Sequence, residues 1–143
     1  MPFETPVPEA LFAGDITATA HEEKEIAPQT IIRTDQDWAV LVKWTNTGQV
    51  TGMIAGEYCV HLLLERLGPG KDLELTENDP HRIPVKPGPS PREYSDHIDI
   101  KAGVVPAGIY KLVTVLRYYE PTGQPGPMAA YVETGPLLQF YDP

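Results

Sequence analysis

The stretch from Trp38 to Thr45 constrains the fold more than any other part of the chain. Trp38, Val40, Val42 and Trp44 alternate with Ala39, Leu41, Lys43 and Thr45, a repeat of two that sends the two sets to opposite faces of an extended strand. The residues are largely β-branched or aromatic, types that fit a pleated, half-buried surface. The same repeat recurs at 58–67, where Tyr58, Val60, Leu62 and Leu64 oppose Cys59, His61, Leu63 and Glu65. Leu62 to Arg66 are also good helix formers. Gly56 and the Gly-Pro-Gly at 68–70 bound that run tightly, so a strand is expected.

Further strands are expected at 11–20, at 30–46 as one long run, and at 72–76. Others follow at 92–101, 109–119, 128–133 and 137–141. Residues 81–88 contain Pro84, which restricts them to a sheet edge or a bulge. Sixteen prolines and twelve glycines are spread between the apolar runs and punctuate them as turns. Glu22, Glu23 and Glu25 suit a short helical turn that Pro28 would limit. Residues 1–10, with Pro2, Pro6 and Pro8, read as an extended arm, and 11–143 as one domain. Short strands with turn signals at this spacing define a sandwich or barrel.

Twenty acidic residues against eleven basic ones give a formal charge of −9. A nucleic-acid binder needs a basic footprint, and none is visible, so nucleic acid is not expected as a partner. Binding to an anionic membrane is disfavoured for the same reason. No window approaches the about 18 apolar residues of a membrane span. A single cysteine, Cys59, allows no internal disulfide, and the first residues lack the basic and apolar regions of a signal peptide. A cytoplasmic protein is expected.

Two segments resemble bacterial immunoglobulin-like modules of the CARDB type. In Val40–Val50 an alternating strand ends in an Asn-x-Gly turn, here Asn46 and Gly48. In Val105–Tyr118 a Gly-x-Tyr-x-Leu run opens the penultimate strand. The resemblance implies an immunoglobulin-like antiparallel sandwich of about seven or eight strands. It also implies that Tyr110 serves as a tyrosine corner, bonding back to the preceding loop two residues before the inward Leu112. Such sandwiches host unrelated activities, so the resemblance speaks to fold and not to function.

Side chains that could carry chemistry are few. Cys59 and His61 share a strand face, but neighbours two apart stand roughly 6.5–7 Å apart at the backbone, too far for an activated thiol. His97 and Asp99, with His81 near in sequence, form a usable metal-ligand set without a confirming motif. Asp72, Glu74, Glu77, Asn78 and Asp79 form an acidic stretch without EF-hand spacing, as a charge-protected edge would. No serine elbow or phosphate loop is present. No cofactor is implied, and the chain reads as non-catalytic.

Two surfaces stand out instead. Leu41, Leu63, Val113 and Val115 fall on the outward faces of their strands, with Tyr119 beside them. A solvated outer face should be mostly polar, so these residues are expected to form one apolar patch that docks a protein partner or a second copy of the chain. Residues 1–12 or the Leu137–Tyr141 segment could alternatively fold over it. The second surface is the loop 120–128, where Pro125 and Pro127 would stiffen a binding loop flanked by Tyr118 and Tyr131, suited to a carbohydrate or small ligand. A metal-dependent enzyme around His97 and Asp99 is the third possibility.

Overall fold

The computed structural model describes residues 2–22, 30–77, 81–86, 88–133 and 136–143. The alternating runs form two sheets packed face to face. The smaller holds β1 (Ala13–Glu22), β3 (Trp38–Thr47) and β7 (Arg92–Ile100) in the order β1-β3-β7. The larger is centred on β4 (Glu57–Leu67) and β8 (Gly108–Tyr119), which pair antiparallel along their full length. Short strands β5 (Leu73–Glu74) and β6 (His81–Pro84) flank β4 on its far side. On the other side of β8 lie β9 (Pro125–Glu133) and β10 (Leu138–Tyr141), and β2 (Ile31–Arg33) joins β10 in parallel.

Residues 58–67 are therefore strand, as the bounding glycines require. The run expected at 30–46 is two strands. Thr34 to Asp37 turn the chain, with Gln36 N–H donating to Arg33 O, so β2 enters the larger sheet and β3 the smaller. That break, together with the short β5 and β6, gives ten strands where about seven or eight were expected. Pro84 lies on an edge strand, opposite Glu57. Of the acidic cluster after β1, Glu22 ends that strand, and Glu23 and Glu25 lie outside the described residues.

The inner faces supply a continuous core. At one end Trp44 stacks on Tyr94 at 5.4 Å, and the Tyr58 ring meets both edge-on. The Tyr58 hydroxyl donates to Asn46 Oδ1 at 2.6 Å, satisfying a buried polar atom within the aromatic group. At the other end Phe140 sits between Trp38 and Tyr110. Tyr110 O–H donates to Pro106 O at 2.9 Å, the bond back to the preceding loop expected of it. Arg66 lies over the same ring and donates to Ala107 O, which ties β4 to the β7–β8 connection. Gly48 has φ +113°, and a Cβ there would come within 2.4 Å of Leu11 O, so the Asn-x-Gly turn needs its glycine.

The arm is not free. Phe3 is buried against Phe12 and Tyr58, Pro2 bridges to Asp15, and Glu4 exchanges backbone hydrogen bonds with Ala129. It thus spans from β1 to β9 along one side of the sandwich, closing the gap between the sheets. The Leu137–Tyr141 segment likewise does not fold over a sheet, because its backbone is used as β10 within one.

Candidate interaction face

The outer face of the larger sheet is built from the residues of β4 and β8 that alternate with the core. Register places them in rows. Leu63 pairs with Val113 and Val113 with Glu133; His61 pairs with Val115 and Val115 with Tyr131. Cys59 pairs with Arg117 and Arg82, and Leu67 with Ile109. Ile109 in turn opposes Gln139, and Gln139 opposes Ile31. That last row carries apolar side chains across three of four strands: Leu67 is 48% exposed, Ile109 43% and Ile31 56%. Tyr131 and Tyr141 are also exposed on this face. Five of the nine exposed large apolar residues among those described thus lie on one sheet face, and Leu137 directly precedes β10.

Two shallow grooves meet at Val115. One, about 310 Å³, is lined by His61, Leu63, Glu74, Val115 and Arg117. The other, about 270 Å³, lies among Phe3, Glu4, Val115, Ala129 and Tyr131. Charged side chains cover part of the apolar floor. Arg82 bonds Glu57 at 2.6 Å, and Lys111 bonds Glu133 at 3.3 Å. Arg117 has no ion-pair partner among the described residues. Among the described residues Glu74 reaches only the His61 imidazole, at 4.0 Å. Burial holds the His61 pKa below its ordinary value, with Arg117 adding to the shift and Glu74 opposing it. The strand positions of this face hold four cations (Arg33, Arg82, Lys111, Arg117) and four anions (Glu57, Glu65, Glu74, Glu133). These strand positions are balanced on a chain of formal charge −9, and Glu4 of the arm adds one carboxylate at the rim.

The expected patch is corrected in part. Leu63 and Val115 share a groove, and Tyr119 lies on the same face beyond them. Val113 is on this face too but only 3% exposed, shielded by its neighbours. Leu41 is on the far side of the molecule: it belongs to β3, between Thr19 and His97 on the outer face of the smaller sheet. Outward orientation was legible from alternation, but which sheet a strand joins was not. Ile31, Ile109 and Leu67 were missed because each lies at a strand end, where alternation is short.

The loop surface does not form as expected. Glu120 N–H bonds Gln124 O, closing a five-residue turn, so Pro125 and Pro127 lie within β9. Tyr118 is an inward residue at 8% exposure, its hydroxyl donating to Ala55 O and its ring packed on Tyr58. Gly126 lies against that ring, where a Cβ would come within 2.2 Å. Tyr118 therefore does not join Tyr131 in a binding site. Tyr131 O–H donates to the Glu133 carboxylate, which pushes the phenol pKa up to about 12.

The candidate metal ligands separate. His97 Nδ1 and Asp99 Oδ1 are 3.2 Å apart on the exposed outer face of β7. His81 instead meets Asp96 at 2.9 Å, on the inward side between β6 and β7. Among the described residues no three His, Cys, Asp or Glu side chains gather as a metal site would need. Asp72 Oδ1 accepts the Arg66 N–H and Glu74 faces outward, while Asn78 and Asp79 of the acidic stretch lie outside the described residues. Cys59 is buried on the outer face of β4, and burial raises its pKa, the opposite of a reactive thiol. No helix among the described residues is long and apolar enough to cross a membrane.

The class these observations define is an all-β, two-sheet protein with one outer face of balanced strand charges and exposed apolar side chains. No protein-family model matches the chain, and no curated protein matches it.

Proposed function

We propose that the chain is a non-catalytic protein-interaction module that docks through the outer face of its larger sheet. One observation carries the reading: on a strongly acidic chain the strands of this face balance their charges and expose Ile31, Leu67, Ile109, Tyr131 and Tyr141. Exposed apolar side chains gathered on one sheet face among balanced charges mark a protein contact. An immunoglobulin-like arrangement and a cytoplasmic setting belong to the same proposal. The first is supported by the β1-β3-β7 and β9-β8-β4 groupings and by the Tyr110–Pro106 bond. The second is supported by the single cysteine.

The test is affinity capture from native extract with the tagged chain and with Val115→Asp/Ile109→Asp. Other proteins held by the parent chain are expected to be lost from the variant while its circular dichroism is unchanged. Capture of the same set by both chains would overturn the reading.

A further inference from the structure

Beyond docking at the outer face, we infer that the slot filled by Phe3 is an exchange site for a second copy of this chain: residues 2–4 of each copy enter the slot of the other.

The slot lies on the side of the sandwich, between β1 at the edge of the smaller sheet and β9 of the larger. Phe3 N–H donates to Gly14 O at 3.0 Å, and Glu4 and Ala129 exchange both of their backbone hydrogen bonds. Adjacent residues thus bond the two sheets together. The Phe3 ring is the anchor, with its centroid 6.4 Å from that of Phe12 and 6.3 Å from that of Tyr58. Gly14 makes room for it, since a Cβ there would come within 2.9 Å of Phe3 Cδ1. The slot is therefore shaped to an extended segment carrying this ring, and every copy of the chain carries such a segment. The contacts are the same whichever copy supplies it, so exchange gives up none of them.

The hinge decides between a copy's own slot and its neighbour's. After the hinge the chain is fixed: Leu11 and Phe12 N–H donate to Pro8 O, while Gln49 and Val50 N–H donate to Ala10 O and Leu11 O. Thr5, Pro6 and Val7 alone connect that turn to Glu4. In the closed chain they bend at Pro6 and Val7, so that Pro2 runs antiparallel to β1 at Asp15. Proline pushes the residue before it toward extended backbone, here Thr5 before Pro6 and Val7 before Pro8. The hinge therefore favours straightening, which carries residues 2–4 away from their own slot by up to about 3.1 Å per hinge residue. A stiff connection that spans its own site poorly lowers the effective concentration of the segment there, so the segment of a second copy competes for the slot. Short hinges of this kind invite exchange.

Sedimentation velocity and a cysteine pair test the exchange. The parent chain is expected to sediment as a dimer at about 0.1 mM. Glycines inserted between Val7 and Pro8 are expected to raise the dimer dissociation constant about tenfold or more, because a longer, flexible hinge lets each segment reach its own slot. That insertion leaves the core untouched. Glu4→Cys/Ala129→Cys reads which copy fills the slot. The two positions pair directly, at about 5.5 Å between Cα atoms, within disulfide reach. Cys59 is buried and stays out of the reaction. After oxidation the double variant is expected to run as a covalent dimer on a non-reducing gel, and neither single variant to do so. Ile109→Asp, on the outer sheet face, is expected to stay a dimer. A monomeric parent chain, a disulfide closed within one chain, or a dimer indifferent to the inserted glycines would overturn the inference. A dimer lost in Ile109→Asp would place the contact on the outer face and overturn it as well. Failure of exchange leaves outer-face docking standing, since capture through Ile109 does not pass through the slot.

Discussion

The His61 imidazole shares its groove with Arg117 and Glu74, and burial keeps its pKa below the ordinary 6.5. The unfolded chain accepts a proton there at higher pH than the folded one, so the folded state binds fewer protons as pH falls. The stability this residue contributes is whole above pH 6.5 and is lost as pH drops through that value toward the lower folded one. The urea midpoint of the parent chain should therefore fall more steeply between about pH 7.5 and about pH 5.5 than that of His61→Gln. Equal slopes would show that His61 is not shifted. At this scale some roles were legible in the sequence and others were not. The bond from Tyr110 to Pro106 is the one that the resemblance to immunoglobulin-like modules implied. The alternation that sets Val113, Val115 and Tyr119 outward also sends Tyr118 to the core, but its place beside a proline-rich loop suggested a binding role that burial removes.

Among the elements, the N-terminal segment departs most from expectation. Three prolines predicted an extended arm; Pro2 and Glu4 do form β-bridges, but residues 6–11 bend and turn, with Leu11 N–H donating to Pro8 O, and Phe3 anchors the segment between the sheets while Glu4 bonds the edge of β9. Burying a phenylalanine contributes about 1.5–3 kcal/mol, and a terminal segment can detach on truncation without leaving a sealed cavity. Phe3→Ala should therefore destabilise by about that amount, read as a lower urea midpoint with unchanged slope. An unchanged midpoint would mean that the arm contributes nothing to folding. The division of 30–46 into β2 and β3 had a visible signal, the polar Thr34-Asp35-Gln36-Asp37 between two apolar runs. Its consequence was not visible, because pairing β2 with β10 joins residues more than a hundred positions apart.

For the molecule as a whole, the aromatic groups around Trp44 and around Trp38 belong to one buried cluster that runs the length of both sheets. A core without a break should unfold as one unit. Tryptophan fluorescence and far-ultraviolet circular dichroism are expected to share a single urea midpoint; separated midpoints would mean that the two ends of the sandwich come apart independently. The sequence by itself determined that the chain is all-β, which residues of the long strands face inward, and where most turns fall. Those properties depend on neighbours two to four residues apart and on glycine and proline geometry. Only the tertiary structure decided which strands share a sheet. It thereby separated Leu41 from Leu63 and Val115, put Ile31 in one row with Ile109 across β10, and set Arg82 and Arg117 in the row on one side of Val115 with Glu74 and Glu133 in the row on the other. Sheet pairing is a contact between distant parts of the chain, and the alternation within a strand is the same whichever neighbour it takes.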